Sequence, residues 1–135
     1  MVAIEENGTI SAEELKELFL LLGWRSGEYE ARLFQAVKQS SYYIAARNSA
    51  GKLIGLISAL DDSAINVYIP YVLVHPDYQR QGIGNKMMIR LKEHYRDFLR
   101  IALISYPESL PFYQANGFSL CEGQMPMEDS RFPKR

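Results

Sequence analysis

Apolar and polar positions follow two different periods along this chain. Leu15, Leu18, Phe19 and Leu22 recur every three or four residues, so residues 11–22 predict an amphipathic helix stopped by Gly23. Ser11-Ala12-Glu13-Glu14 has the spelling of a capping box, with Ser11 as N-cap and Glu14 three residues on. A second helix is predicted over 28–39, with Ala31, Leu33, Phe34 and Val37 on or near one face. The pattern then changes to short apolar runs. Residues 42–47 and 53–60 predict two strands joined by a turn at 48–51, with another turn at Asp61-Asp62-Ser63. Residues 65–75 predict a long strand interrupted by Pro70, which has no amide to donate and so marks a bulge or an edge. Helical spacing returns at Met87, Met88, Leu91 and Tyr95, and a strand follows over 101–104. A last helix ends at Asn116-Gly117, and Phe118 opens a final strand that takes in Cys121. Thr9-Ile10 is either a short first strand or an extended lead-in. Strands alternating with helices make this an α/β chain.

The junction between the long strand and the helix at 85–95 carries the chemistry. Tyr71-Val72-Leu73-Val74-His75-Pro76 leads into Gln79-Arg80-Gln81-Gly82-Ile83-Gly84. A strand, a glycine turn and a helix start together make an anion site. The first helical amides lack intrahelical acceptors, and the macrodipole places about half a positive charge there. Two phosphate motifs are excluded by spelling. A P-loop needs Gly-Lys-Ser/Thr, whereas Gly84 is followed by Asn85-Lys86-Met87 and no glycine stands five residues upstream. A dinucleotide fingerprint beginning at Gly82 and Gly84 would need its third glycine where Met87 stands.

What stands here is Q-x-x-G-x-G after a strand ending V-x-P. Further on comes Leu110-Pro111-Phe112-Tyr113-Gln114-Ala115-Asn116-Gly117-Phe118, with the form F-Y-x-x-x-G-F. In this order the two motifs resemble those of the GNAT superfamily of acetyl-CoA-dependent N-acyltransferases, clearly over about residues 42–118. The resemblance implies the GNAT fold, a mixed twisted sheet of about six or seven strands with helices on both faces. It covers the chain as one domain, residues 1–135. It implies N-acetyl transfer from acetyl-CoA directly to a primary amine of a small molecule or peptide, with no metal. The alternative is a non-catalytic acyl-CoA-binding or sensor domain of the same fold.

The resemblance also assigns roles. The backbone of Arg80, Gln81, Gly82, Ile83, Gly84 and Asn85, following Gln79, would cradle the pyrophosphate of coenzyme A. Arg80 and Lys86 either add positive charge toward the 3′-phosphate or are ordinary solvated surface. A strand amide among Val72, Leu73 and Val74 would donate to the thioester oxygen as it becomes an oxyanion. Tyr113 matches the family tyrosine beside the cofactor sulfur and is the candidate general acid, since a phenol of pKa about 10 can protonate a thiolate. The base is open among Tyr68, Asp61, Asp62, Glu108, His75 and a water chain. His75 suits by residue type, but its place before proline favours a structural role. Asp61-Asp62 is more simply a turn. Where many family members carry an asparagine, seven residues before the motif tyrosine, this chain has Tyr106. Tyr106 therefore puts the pantetheine side-chain contact in doubt and is a candidate lining of the acceptor pocket. Trp24, in the loop 22–27, either walls that pocket or anchors the core; Tyr68 is a third candidate, and the loop 123–127 a second wall. Cys121 reads as buried filler, not as a nucleophile.

Composition narrows the classes. Hydrophobic residues make up 47% of 135, enough for a core without disulfides or metal. A net charge of −1 argues against a nucleic-acid surface. No apolar run reaches membrane-spanning length, and Met1-Val2-Ala3-Ile4-Glu5-Glu6 lacks the basic start of a signal peptide. With one cysteine, the expectation is a reducing cytoplasm. No strong acidic cluster favours polyamine or aminoglycoside acceptors. The resemblance admits a homodimer, paired through an exposed late strand.

Overall fold

A computed structural model describes residues 1–134. The chain divides into two compact units, Met1–Leu103 and the residues from Ile104 onward. The first unit is built on one sheet of five strands, ordered β1 (Ala3–Glu6), β2 (Tyr42–Arg47), β3 (Leu53–Asp61), β4 (Asn66–Val74) and β5 (Arg100–Leu103). Neighbours from β1 to β4 are antiparallel, and β5 runs parallel to β4. The helices are α1 (Ala12–Leu21), α2 (Glu30–Lys38) and α3 (Ile83–His94), with a 3₁₀ turn at Arg25–Glu28 between α1 and α2.

Strand alternation divides the core between two faces. Leu15, Leu18 and Phe19 of α1 and Leu33 and Val37 of α2 pack with Tyr43, Ala45, Leu56 and Leu73 on one face. The next residue over, Tyr42, stacks on His94 and meets Tyr95 edge-on at the end of α3, on the other face. Gly55 lies under Met87 of α3, where a Cβ would come within 2.9 Å of the methionine methyl. The predicted capping box is present: Ser11 Oγ accepts from the Glu14 amide, and the Ser11 amide donates to Glu14. Gly23, at φ +78°, turns the chain out of α1.

The structure decides between the two alternatives at Thr9-Ile10. That pair is the extended lead-in, and β1 lies earlier, at Ala3–Glu6. It is a charged edge strand, so it lacks the β-branched run that marks β2 to β4. Its glutamates fasten it instead. Glu6 accepts from the Tyr42 hydroxyl and pairs with Arg90, and Glu5 pairs with Arg47.

Arg47 ties four segments together. Its fork donates to both carboxylate oxygens of Glu14 at 2.8 and 2.9 Å, and further N–H groups reach the carbonyls of Thr9 and Gly51. The guanidinium is largely buried and bidentate, the geometry in which an ion pair counts most. Arg47→Met is expected to lower the unfolding free energy by about 1–3 kcal/mol in urea titrations, because it removes a bidentate, half-buried ion pair and leaves Glu14 to water. The Arg47 hydrogen bond also holds the Glu14 carboxyl below its ordinary 4.5. This contribution is complete above that value and is lost as pH falls through the lowered one. The acid-side loss of stability assigned to Glu14 should therefore be smaller in Arg47→Met, where only the bonds with Ser11 still lower the carboxyl.

The second unit contains a 3₁₀ turn at Pro107–Ser109 and a short helix α4 (Leu110–Ala115). Gly117, at φ +88°, stops α4 as expected, and the Asn116 and Phe118 amides donate to the Tyr113 carbonyl. The predicted strand at Phe118 does not form, so the sheet has five strands where about six or seven were expected. Residues 118–121 pair with no strand among the described residues, and Gly123 turns the chain at φ +74° just after them. Cys121 is accordingly exposed, not buried filler.

Candidate active site

The site in the first unit follows from a fault in β4. Ser58 of β3 pairs with Tyr71, but Leu60 pairs with Tyr68, so β4 spends one residue more than β3 across this stretch. This is the bulge that Pro70 predicts. The bulge switches which residues face which neighbour. Below it, the Asp62 amide donates to the Asn66 carbonyl, which turns Asn66 and Tyr68 toward β3 and Val67 and Ile69 toward β5. Above it, the His75 amide donates to the Ile54 carbonyl at 2.7 Å. Alternation then turns Leu73 and Tyr71 toward β3, and turns the backbone of Val72 and Val74 to the opposite side. On that side β5 has already stopped pairing, at Ile69↔Leu103. Among the described residues, no strand pairs with this stretch of edge. Of the three expected oxyanion donors, Val72 and Val74 present amides to the open side. The Leu73 amide faces β3, and its side chain is core.

The loop from His75 to Gly82 follows directly. His75 caps the 3₁₀ turn Pro76–Tyr78, with Nδ1 accepting from the Asp77 amide at 3.1 Å. The Asn48 side-chain amide donates to the Tyr78 hydroxyl at 3.0 Å, and Gln81 donates to the Asp77 carbonyl at 3.3 Å. Gln79 Nε2 donates to the outward carbonyl of Val74 at 3.0 Å. Arg80 holds φ +65° and Gly82 φ +81°. Gly82 is the N-cap of α3 and supplies no side chain, and no atom lies within 4 Å of where its Cβ would stand. The first helical hydrogen bond runs from the Lys86 amide to the Gly82 carbonyl at 3.0 Å, so the Ile83 and Gly84 amides precede the intrahelical ladder. The first turn carries no acidic residue. Arg80 and Lys86 are exposed beside it. An anion here would meet backbone donors, the positive end of the α3 dipole and two exposed cations.

Several candidate bases are already engaged. Asp62 Oδ1 accepts from the amides of Ala64, Ile65 and Asn66, and these bonds hold its carboxyl far below the ordinary range, as a turn organiser. Asp61 accepts from the Ser63 amide and the Tyr95 hydroxyl. His75 is the cap just described. Tyr68 is exposed on β4, and Glu108 is exposed in the second unit.

Trp24 is half-buried and packs against the core. Its ring meets Tyr71 edge-on at 5.4 Å and Phe19 at 6.2 Å, while the Tyr71 hydroxyl shares a hydrogen bond with Ser26 Oγ at 2.8 Å. This link between β4 and the loop after α1 went unnoticed in the sequence, where Tyr71 reads as one more strand residue. In the second unit, Tyr113 is flanked by Phe112 at 5.0 Å and Phe118 at 5.9 Å. Burial pushes its hydroxyl above the ordinary 10, so it carries its proton throughout the neutral range. Tyr106 is exposed at the start of the 3₁₀ turn. Among the described residues no cluster of His, Cys, Asp or Glu is arranged to hold a metal ion.

The GNAT acetyltransferase domain family matches residues 10–132. The chain belongs to the GNAT acetyltransferase family. The ycf52 N-acetyltransferase of Porphyra purpurea is 30% identical over 122 residues, covering 87% of this chain and 70% of the relative. A probable acetyltransferase of methicillin-resistant Staphylococcus aureus superposes with a TM-score of 0.87 at 17% identity, over 98% of this chain and 100% of that one. The aminoglycoside N-acetyltransferase AAC(6′)-Iy, solved in complex with CoA, superposes with a TM-score of 0.73 at 16% identity, over 98% of this chain and 96% of that one. These likenesses show the GNAT fold in the mixed sheet with helices on both faces. The protein is thus a GNAT-type acetyltransferase, and the Q-x-x-G-x-G loop lies at its β4–α3 junction.

Proposed function

We propose that this GNAT enzyme transfers the acetyl group of acetyl-CoA directly to a primary amine of a small molecule or peptide. The observation that carries the reading is the open edge of β4 beside a glycine-capped helix start. The cofactor's pyrophosphate would lie on the loop amides from Arg80 to Asn85, over the positive end of α3. Arg80 and Lys86 would add charge toward the remaining phosphate. The thioester oxygen would accept from the Val72 or Val74 amide, a donor already fixed in place when negative charge develops. Tyr113 would protonate the departing thiolate, for which a phenol that is neutral at working pH is suited. The attacking amine must lose a proton, and with Asp61, Asp62 and His75 committed to local structure, Tyr68, Glu108 or water is left to accept it. The acceptor would be bound near the loop 22–27, where the Tyr71–Ser26 pair ties β4 to the turn after α1. The reading keeps the cytoplasmic setting and the homodimer expected from the sequence.

Thermal denaturation tests the donor. Acetyl-CoA and CoA are expected to raise Tm in a concentration-dependent way, while ATP and NAD leave it unchanged. No shift with acetyl-CoA would contradict the proposal.

A further inference from the structure

We propose that Gln79 is a positioning residue that stands in for a missing strand, and so keeps the thioester edge of β4 in register with the anion loop. The inference rests on the donor reading above. It gives the side chain of Gln79 a task distinct from touching the cofactor.

The argument begins with the Val74 carbonyl. Above the bulge, Val72 and Val74 turn their backbone groups away from β3, and β5 pairs no further than Ile69. In a continuous sheet, the next strand would satisfy the outward carbonyls as well as the outward amides. An open edge that must leave amides available for a ligand still has carbonyls to satisfy. Gln79 Nε2 supplies the donor for Val74, at 3.0 Å, from five residues further along the chain. The carbonyl is satisfied, and no strand has to close over the neighbouring amides.

The same bond fixes a distance. Gln79 is the first residue of Q-x-x-G-x-G, and its backbone leads directly into Arg80 and the cap Gly82. Gln81 binds back to Asp77, and Tyr78 is held by Asn48 of the β2–β3 turn. These bonds stiffen the loop, but neither reaches β4. The Gln79 side chain is what joins the loop to the strand. It also flanks Arg80, whose left-handed φ of +65° persists only if its surroundings hold it there. A phosphate seated on the loop and a thioester seated on β4 therefore keep a set spacing through one side-chain amide. A side chain that ends in an N–H donor and has similar reach can do this; one that cannot donate will not.

Three variants test this: Gln79→Met, which keeps length and loses the donor; Gln79→Glu, which presents an acceptor to a carbonyl; and Gln79→Arg, which keeps a donor. Each is measured for CoA affinity by calorimetry and for kcat and KM with acetyl-CoA. The loop amides remain but lose an anchor, so CoA affinity should fall in the Met and Glu variants by less than kcat does, and should recover with kcat in the Arg variant. Loss of this exposed hydrogen bond should lower kcat about two- to tenfold in the Met and Glu variants, with the Arg variant recovering most of it. Unchanged kcat in Gln79→Met overturns the proposal, as does an Arg variant no better than Met. Amide hydrogen exchange supplies a readout independent of activity. The segments 72–74 and 79–82 should exchange faster in Gln79→Met and as in wild type in Gln79→Arg. If wild type binds no CoA, the donor reading fails; the positioning proposal is then decided by exchange alone, and unchanged exchange in Gln79→Met overturns it.

Discussion

The Tyr113→Phe enzyme is expected to bind acetyl-CoA as the parent does and to turn it over about a hundredfold more slowly, the usual size of a general-acid contribution. Phenylalanine keeps the ring between Phe112 and Phe118, and the backbone bonds that close α4 go to the residue's carbonyl, not its hydroxyl. Fold stability should therefore change little, and the loss should fall on kcat rather than KM. The pH profile gives an independent check. An acid must be protonated to act, so kcat should fall as pH rises through the Tyr113 pKa, which burial places above 10. That alkaline limb should vanish in the phenylalanine variant. Full turnover in Tyr113→Phe would remove the residue from the chemistry and leave it as an aromatic packing group.

Gly82→Val is expected to weaken acetyl-CoA binding about a hundredfold while the protein still folds. Gly82 holds φ +81°, a conformation that costs a β-branched residue about 1–3 kcal/mol. The free protein has room for the side chain itself, since nothing lies within 4 Å of the Cβ position. The damage arises on binding, because the two methyl groups would stand where a phosphate must approach the amides of Ile83 and Gly84. A backbone that shifts to relieve φ would also turn those amides away. Calorimetric titration of CoA measures the effect, and Gly82→Ala should fall between the two. Parent-like affinity in Gly82→Val would mean that the anion, if one binds, does not sit on this helix start.

Much of this fold is readable from residue order because each strong local signal agrees with its tertiary role. Ser11 and Glu14 form the box they spell, Pro70 makes the bulge it implies, and the glycines at 82 and 117 take positive φ. The failures have physical causes. Strand β1 is held by its glutamates through Arg47, Tyr42 and Arg90, partners distant in sequence, so no local run announces it. Phe118-Ser119-Leu120-Cys121 looks like a strand by residue type, but a strand needs a partner edge, and none pairs with it among the described residues.

The candidate site divides in the same way. Its glycine spelling and helix start were legible. The direction of the Val72 and Val74 amides was not, because a one-residue bulge decides it. The bond from Gln79 to Val74 was equally hidden, whereas Asp62 binds three amides of the turn that its sequence spells. Trp24 is half-buried and packs against the core through Phe19 and Tyr71, contacts that its sequence neighbours do not announce.

The most direct test is the release of free CoA thiol from acetyl-CoA, followed with a thiol reagent across a panel of primary amines and peptides. The account predicts release that depends on the amine, saturates with acetyl-CoA, yields the N-acetylated product in equal amount, and is lost in Gly82→Val. Thiol release that no amine accelerates, from a protein that nonetheless binds CoA, would contradict it and leave an acyl-CoA-binding domain in its place.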